Sequence, residues 1–147
     1  MADIAMQLHI EADADTVYAA ISTTEGIQGW FTATATADNG VDGVHELQFP
    51  GVPEPWRLRI TEAEPGKRLV LAGENGPWTG TLQTYEVLTR PEGDVTLRFT
   101  HSGFPAVDDA YRDFTYGWAT KFVQLKAYAE TGEPAPFFAV VSEGENT

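Results

Sequence analysis

The chain has 147 residues, 42% hydrophobic and 12% aromatic, which suits one domain with an ample core. Acids outnumber bases 22 to 9, for a formal net charge of −13. That balance argues against nucleic acid and against an anionic membrane surface, because Lys and Arg supply most of the affinity for both. With no cysteine and three scattered histidines, disulfides, thiolate chemistry and metal sites are set aside, and no cofactor is expected.

No apolar run approaches the roughly 20 residues of a membrane span. Met1-Ala2-Asp3-Ile4 lacks the charged start and apolar stretch of a secretory signal, so a cytoplasmic protein is expected.

Ile4, Met6, Leu8 and Ile10 alternate with polar or small residues, the period of a half-buried strand, and His9 falls on its polar face. A helix follows, with Asp13 as N-cap, Asp15 in the first turn, and Val17, Ala20 and Ile21 on one face. Thr23 or Thr24 caps a second short helix that reaches Trp30 and is loosened by Gly26 and Gly29. Turn signals such as Asn39-Gly40, Pro65-Gly66 and Asn75-Gly76-Pro77 then punctuate β-rich runs. These runs are Phe31 to Ala37, Val44 to Phe49, Trp56 to Thr61, Arg68 to Ala72, Trp78 to Leu88 and Val95 to Ser102. The connections are too tight for helical crossovers, so the sheet is expected to be antiparallel.

From Asp109 to Glu130 the apolar residues Tyr111, Phe114, Trp118, Phe122, Leu125 and Ala129 recur at helical steps, and Gly132 and Pro134 mark the end. The tail carries Phe137 and Phe138, which pack back on the domain or support a homodimer, and its last residues, Ser142 to Thr147, are expected to fray. The predicted organisation is a domain over 1–132 and a tail over 133–147. Its class is α+β: a helix-grip fold, a curved seven-stranded antiparallel sheet wrapped around a long C-terminal helix, with two short helices after the first strand.

Several strings carry a resemblance. They are Ile10-Glu11-Ala12 leading into Asp15-Thr16-Val17-Tyr18-Ala19-Ala20-Ile21, then Gly29-Trp30-Phe31. Later come Glu64-Pro65-Gly66-Lys67-Arg68-Leu69-Val70-Leu71, Thr96 to Phe104 around His101-Ser102-Gly103, and Gly117-Trp118. In this order they resemble the START-related superfamily, and within it the bacterial proteins similar to the C-terminal domain of the activator of heat-shock protein 90 ATPase. The resemblance implies a cavity between sheet and long helix that takes apolar small molecules. The family's namesake also works with a separate N-terminal chaperone-binding domain, for which this chain has no room.

Candidate ligand-binding residues are the four tryptophans Trp30, Trp56, Trp78 and Trp118, whose faces can stack on a flat ligand, together with Phe104 and Phe122. The alternative for each is core filling. His101 continues the apolar face Val95, Leu97, Phe99, and His45 is in phase with Leu47 and Phe49, so both are expected to point inward. An inward histidine can hold a ligand carbonyl or act as a base, or simply be a satisfied core residue. Tyr111 is the best placed of the tyrosines Tyr85, Tyr111 and Tyr116 as a hydroxyl donor; His101 with Tyr111 is the catalytic candidate, and His45 with His101 would form an acid/base pair if both face in. Arg57, Arg59 and Arg98 are expected to pair across strands with acids. Three functions follow: binding of an apolar or aromatic small molecule; a cyclase, dehydratase or hydrolase on an aromatic or polyketide-like compound; and a stress-response or chaperone-interaction module.

Overall fold

The computed structural model describes residues 1–139. Strand β1 (Ala2–Ile10) leads into α1 (Ala14–Ser22) and α2 (Thr24–Trp30). Strands β2 (Ala35–Ala37), β3 (Val44–Leu47), β4 (Trp56–Glu64), β5 (Arg68–Gly73), β6 (Leu82–Thr89) and β7 (Val95–Phe104) follow, and α3 (Asp109–Thr131) closes the domain. The strands form one seven-stranded antiparallel sheet in the order β1-β7-β6-β5-β4-β3-β2, so the first strand pairs with the last. The α+β helix-grip architecture is therefore observed.

Local chemistry explains the element ends. The Asp13 carboxylate accepts the Thr16 amide at 2.8 Å and starts α1. The Thr23 backbone N–H closes α1 on Ala19 O, while its hydroxyl accepts the Gly26 amide at 2.9 Å and starts α2. One residue thus ends one helix and begins the next. Asp108 caps α3 through the Tyr111 amide at 2.9 Å, and Gly132, at φ 77°, ends it in the left-handed region.

Alternation sets the inner face of the sheet. On β7 Val95, Leu97, Phe99 and His101 are all buried, and on β6 Gln83, Tyr85 and Val87 are. Strand β4 slips register between Ile60 and Glu62, and β1 between Ala2 and Ile4; such bulges sharpen the bend of a strand. Trp118, Phe122, Leu125 and Ala129 of α3 face this concave surface and are buried, whereas Tyr111 and Phe114 at its start are only half-buried. On the outer face Arg57 sits opposite Glu46, with Nε 3.6 Å from the carboxylate, Arg59 binds Glu74 at 2.7 Å, and Arg98 sits opposite Gln7. His9 is held by Asp94 at 2.6 Å.

Two expected strands begin later than the sequence suggests. Phe31 is the C-cap of α2, and the chain reaches the sheet only at Ala35. Trp78 lies in a 3₁₀ turn, Gly76–Trp78, and β6 starts at Leu82. Pro77 has no amide to give a ladder, and Gly76 takes a φ of 69°, so this stretch folds as a loop between the central strands β5 and β6.

The tail runs back over α2. Amides of Ala135, Phe137 and Phe138 donate to the carbonyls of Gly29, Trp30 and Phe31, each at 2.9 Å, and Ala33 N–H donates to Phe138 O at 2.9 Å. The expected fraying from Ser142 onward lies outside the described residues.

The α1–α2 corner is a tight backbone approach. A Cβ on Gly26 would run into the Ala19 carbonyl oxygen and the Ala20 backbone, neither of which can move without breaking α1. Gly26→Ala should therefore lower stability by about 1–3 kcal/mol, read as a shift of the urea midpoint with little change in slope.

Candidate functional site

The interior between sheet and α3 is largely filled by aromatic rings. Trp118 stacks on Phe122 and Trp78 with centroids 5.5 and 5.3 Å apart, and Phe99 packs on Trp118 at 4.6 Å. Trp30 stacks on Phe31 and Phe122, and its indole N–H donates to Ala20 O at 2.7 Å, tying α2 to α1.

His101 sits in the middle of this packing, fully buried. The Trp118 indole N–H donates to its Nδ1 at 3.0 Å, and its Nε2 lies 2.8 Å from Thr81 Oγ1. An indole nitrogen only donates, so Nδ1 is the unprotonated nitrogen and Nε2–H donates to Thr81. The Thr81 hydroxyl in turn donates to Trp78 O at 2.6 Å. Every proton in this chain has one acceptor. Burial pushes the His101 pKa down to about 3, and a second ring proton would also point at the Trp118 N–H. His101 therefore holds α3, β7 and the Trp78 turn in register as a neutral ring.

His45 is buried on β3, with Nε2 3.2 Å from Asp38 O, and burial lowers its pKa to about 4 against a smaller opposing effect of Asp38. Three strands of the sheet lie between β3 and β7, so the two histidines do not form a neighbouring pair. Tyr111 donates its hydroxyl to Asp3 O at 2.7 Å. The Phe104 ring packs on both His101 (4.5 Å) and Tyr111 (5.5 Å) and stands between them.

Where the packing thins toward the start of α3, a hollow of about 250 Å³ remains. Its walls are Phe49, Trp56, Trp78, Phe114, Phe138 and Lys121, with Pro50 and Val52 at the rim. Of the candidates read from the sequence, Trp56 and Trp78 line it. Trp118 backs it through its stack on Trp78, while Trp30, His45 and Phe122 belong to the deeper packing. Larger hollows of about 620, 410 and 380 Å³ lie at the β4–β5 turn, beside Tyr128 and along β2–β3. Aromatic side chains are few or absent in them, and polar surface residues such as Glu64, Thr23 and Gln48 line them, so the smaller aromatic hollow is the candidate site.

The sequence pattern does not mark Phe49, Phe114, Phe138 or Lys121 as site residues. Phe49 shares the inward phase of His45 and Leu47, and Lys121 sits three residues after Trp118 on the same helical flank, so a weak signal existed. The Lys121 ammonium lies over four rings, 4.9 Å from the centroid of Phe137, 5.2 Å from Phe138, 5.9 Å from Phe31 and 6.0 Å from Trp118. Such contacts contribute about 0.5–2 kcal/mol each, depending on desolvation. Burial lowers its pKa to about 8.

A family model described as activator of Hsp90 ATPase homolog 1-like protein matches residues 11–130. The chain belongs to this family. A solution structure of the Aha1 dimer from Colwellia psychrerythraea superimposes with a TM-score of 0.82 at 26% identity, covering 90% of this chain and 98% of that one. A protein from Staphylococcus saprophyticus gives 0.75 at 18% identity, covering 95% and 98%. DynU16, from the dynemicin biosynthetic locus, gives 0.77 at 19% identity, covering 94% of this chain and 51% of that one. The last two show the fold alone. No curated protein matches the chain in sequence. Among the described residues no helix is long and apolar enough to cross a membrane, and no cluster of three metal-ligating side chains occurs.

The two buried histidines set a pH dependence. Both folded pKa values lie below the ordinary 6.5. The unfolded chain therefore binds protons that the folded chain refuses, and stability is full above about pH 7 and falls as pH drops through 6.5. At ~1.4 kcal/mol per pH unit for each ring, the unfolding free energy should fall by about 2–3 kcal/mol between pH 7.5 and 5.5. Urea titrations at the two pH values measure this, and a flat profile would show that the rings are protonated in the fold.

Proposed function

We propose that the protein binds an apolar or aromatic small molecule in the hollow between the β3–β4 connection, the Trp78 turn and the start of α3. The observation that carries this reading is the convergence of five aromatic side chains on one open space at the end of an otherwise filled core. Aromatic walls with few polar groups characterise small-ligand sites, and membership of an activator of Hsp90 ATPase homolog 1-like family on this fold is consistent with such a site. At ~30 Å³ per water the hollow is worth about eight waters, so the ligand is small, on the order of ten non-hydrogen atoms. His101 acts in this reading as a positioning residue: with its nitrogens engaged by Trp118 and Thr81, it fixes the two tryptophans that form and back the wall.

Native mass spectrometry after incubation in an extract of the host should show a reproducible added mass. That mass should be absent from Trp56→Ala, which removes a half-buried wall with limited damage to the core. An unliganded mass throughout would count against the reading.

A second reading concerns assembly. Tyr116 and Val123 on the outer face of α3 are 75% and 65% exposed, and Phe137 of the tail is 42% exposed. The similar Colwellia protein is described as a dimer. We infer that the face of α3 carrying Tyr116 and Val123 pairs with a second copy. Light scattering should give a dimer mass for the native chain and a monomer mass for Val123→Glu; a monomer at all concentrations would exclude it.

A further inference from the structure

Among the described residues Lys121 accepts no carboxylate partner and donates no hydrogen bond, although its ammonium is half-buried against the hollow. The other lysine of α3 is treated differently: Lys126 is held by Glu130 at 2.6 Å and by His9 O at 2.9 Å. None of the hollow's lining side chains is acidic, in a chain where acids outnumber bases by more than two to one. The rings around Lys121 satisfy its charge in part, but among the described residues its three N–H donors find no acceptor.

A second feature lies beside the ammonium. Gly117 lies one turn before Lys121 in the middle of α3, where glycine costs about 1 kcal/mol relative to alanine. A Cβ at Gly117 would sit 3.0 Å from Lys121 Nζ. The missing side chain therefore leaves room for the lysine to fold back along the helix toward the hollow rather than out into water.

We propose that the hollow selects apolar ligands bearing a carboxylate, with the Lys121 ammonium as counter-ion and the aromatic walls holding the apolar body. This rests on the hollow being a ligand site, as proposed above, and names the chemical class it takes. An ammonium that is desolvated before the ligand arrives has already lost part of its hydration, so the ion pair gains more than one made at an open surface. Burial lowers its pKa to about 8, which still leaves most of the population charged at pH 7. A carboxylate fits better than a phosphate dianion, since one ammonium faces the space and no second cation lines it.

The test compares phenylacetate with phenylacetamide, which share shape and differ in charge, by NMR titration at pH 7. The native protein should bind phenylacetate about tenfold more tightly than the amide. Lys121→Met should erase that difference while leaving amide binding in place, and Lys121→Arg should keep the preference. Equal binding of both probes by the native protein would overturn the carboxylate assignment and leave the hollow as a neutral apolar site. Binding of neither probe would overturn the hollow itself, and the carboxylate assignment with it. Val52→Trp, which fills the rim, should abolish binding of both probes if the site is correctly placed. Retained binding would locate the ligand elsewhere and overturn the proposal.

Discussion

The hydrogen bond from Trp118 to His101 is the constraint around which the rest is arranged. An indole N–H buried in an aromatic core needs an acceptor, and a neutral imidazole on the facing strand supplies one. That one bond fixes the rotation of α3 against β7. It also fixes which imidazole nitrogen keeps the proton, and hence which neighbour, Thr81, receives it. Thr81 then holds the carbonyl of Trp78, so a loop with no strand geometry of its own acquires a defined place over the sheet. Protonating His101 would break the chain at its centre, which is why burial of this residue is tied to the pH range of the fold.

Filling and opening are consequences of the same packing. Deep in the grip, Trp30, Phe99, Trp118 and Phe122 pack ring against ring, and they are among the largest side chains of the buried apolar core that stabilises the domain. Toward the start of α3 the helix carries Phe114 half-exposed, and the sheet contributes Trp56, also half-exposed. The tail reaches this region and places Phe138 against Phe49 at 5.1 Å. The space that remains is bounded by parts from four regions of the chain. A site assembled in this way depends on how each region is held, more than on any single side chain.

The fold was legible because its signals are local and periodic. Strict alternation in Val95 to His101, the caps at Asp13 and Asp108, and the stripe from Trp118 to Ala129 each define an element without knowledge of its neighbours. The expected strand starts at Phe31 and Trp78 were early for a physical reason. Both residues have strand-like composition, but Phe31 continues the hydrogen bonding of α2 and Trp78 follows a proline turn. The site was legible only in part. The inward direction of His101 could be read from the phase of its strand, whereas its bond to Trp118 joins elements that no local pattern relates. Lys121 gave the least signal, since a lysine beside an apolar stripe normally reaches into solvent, whereas here its ammonium lies against the rings of the docked tail.

In the proposed function the aromatic hollow accepts a small apolar molecule while the deeper core stays closed. The most direct measurement follows the four tryptophan indole N–H signals of the nitrogen-labelled protein while unlabelled indole is added. The signals of Trp56 and Trp78, which line the hollow, should move and saturate. The signal of Trp30, locked onto Ala20 O in the closed interior, should stay in place. Equal movement of all the signals, or none at high indole concentration, would contradict the account.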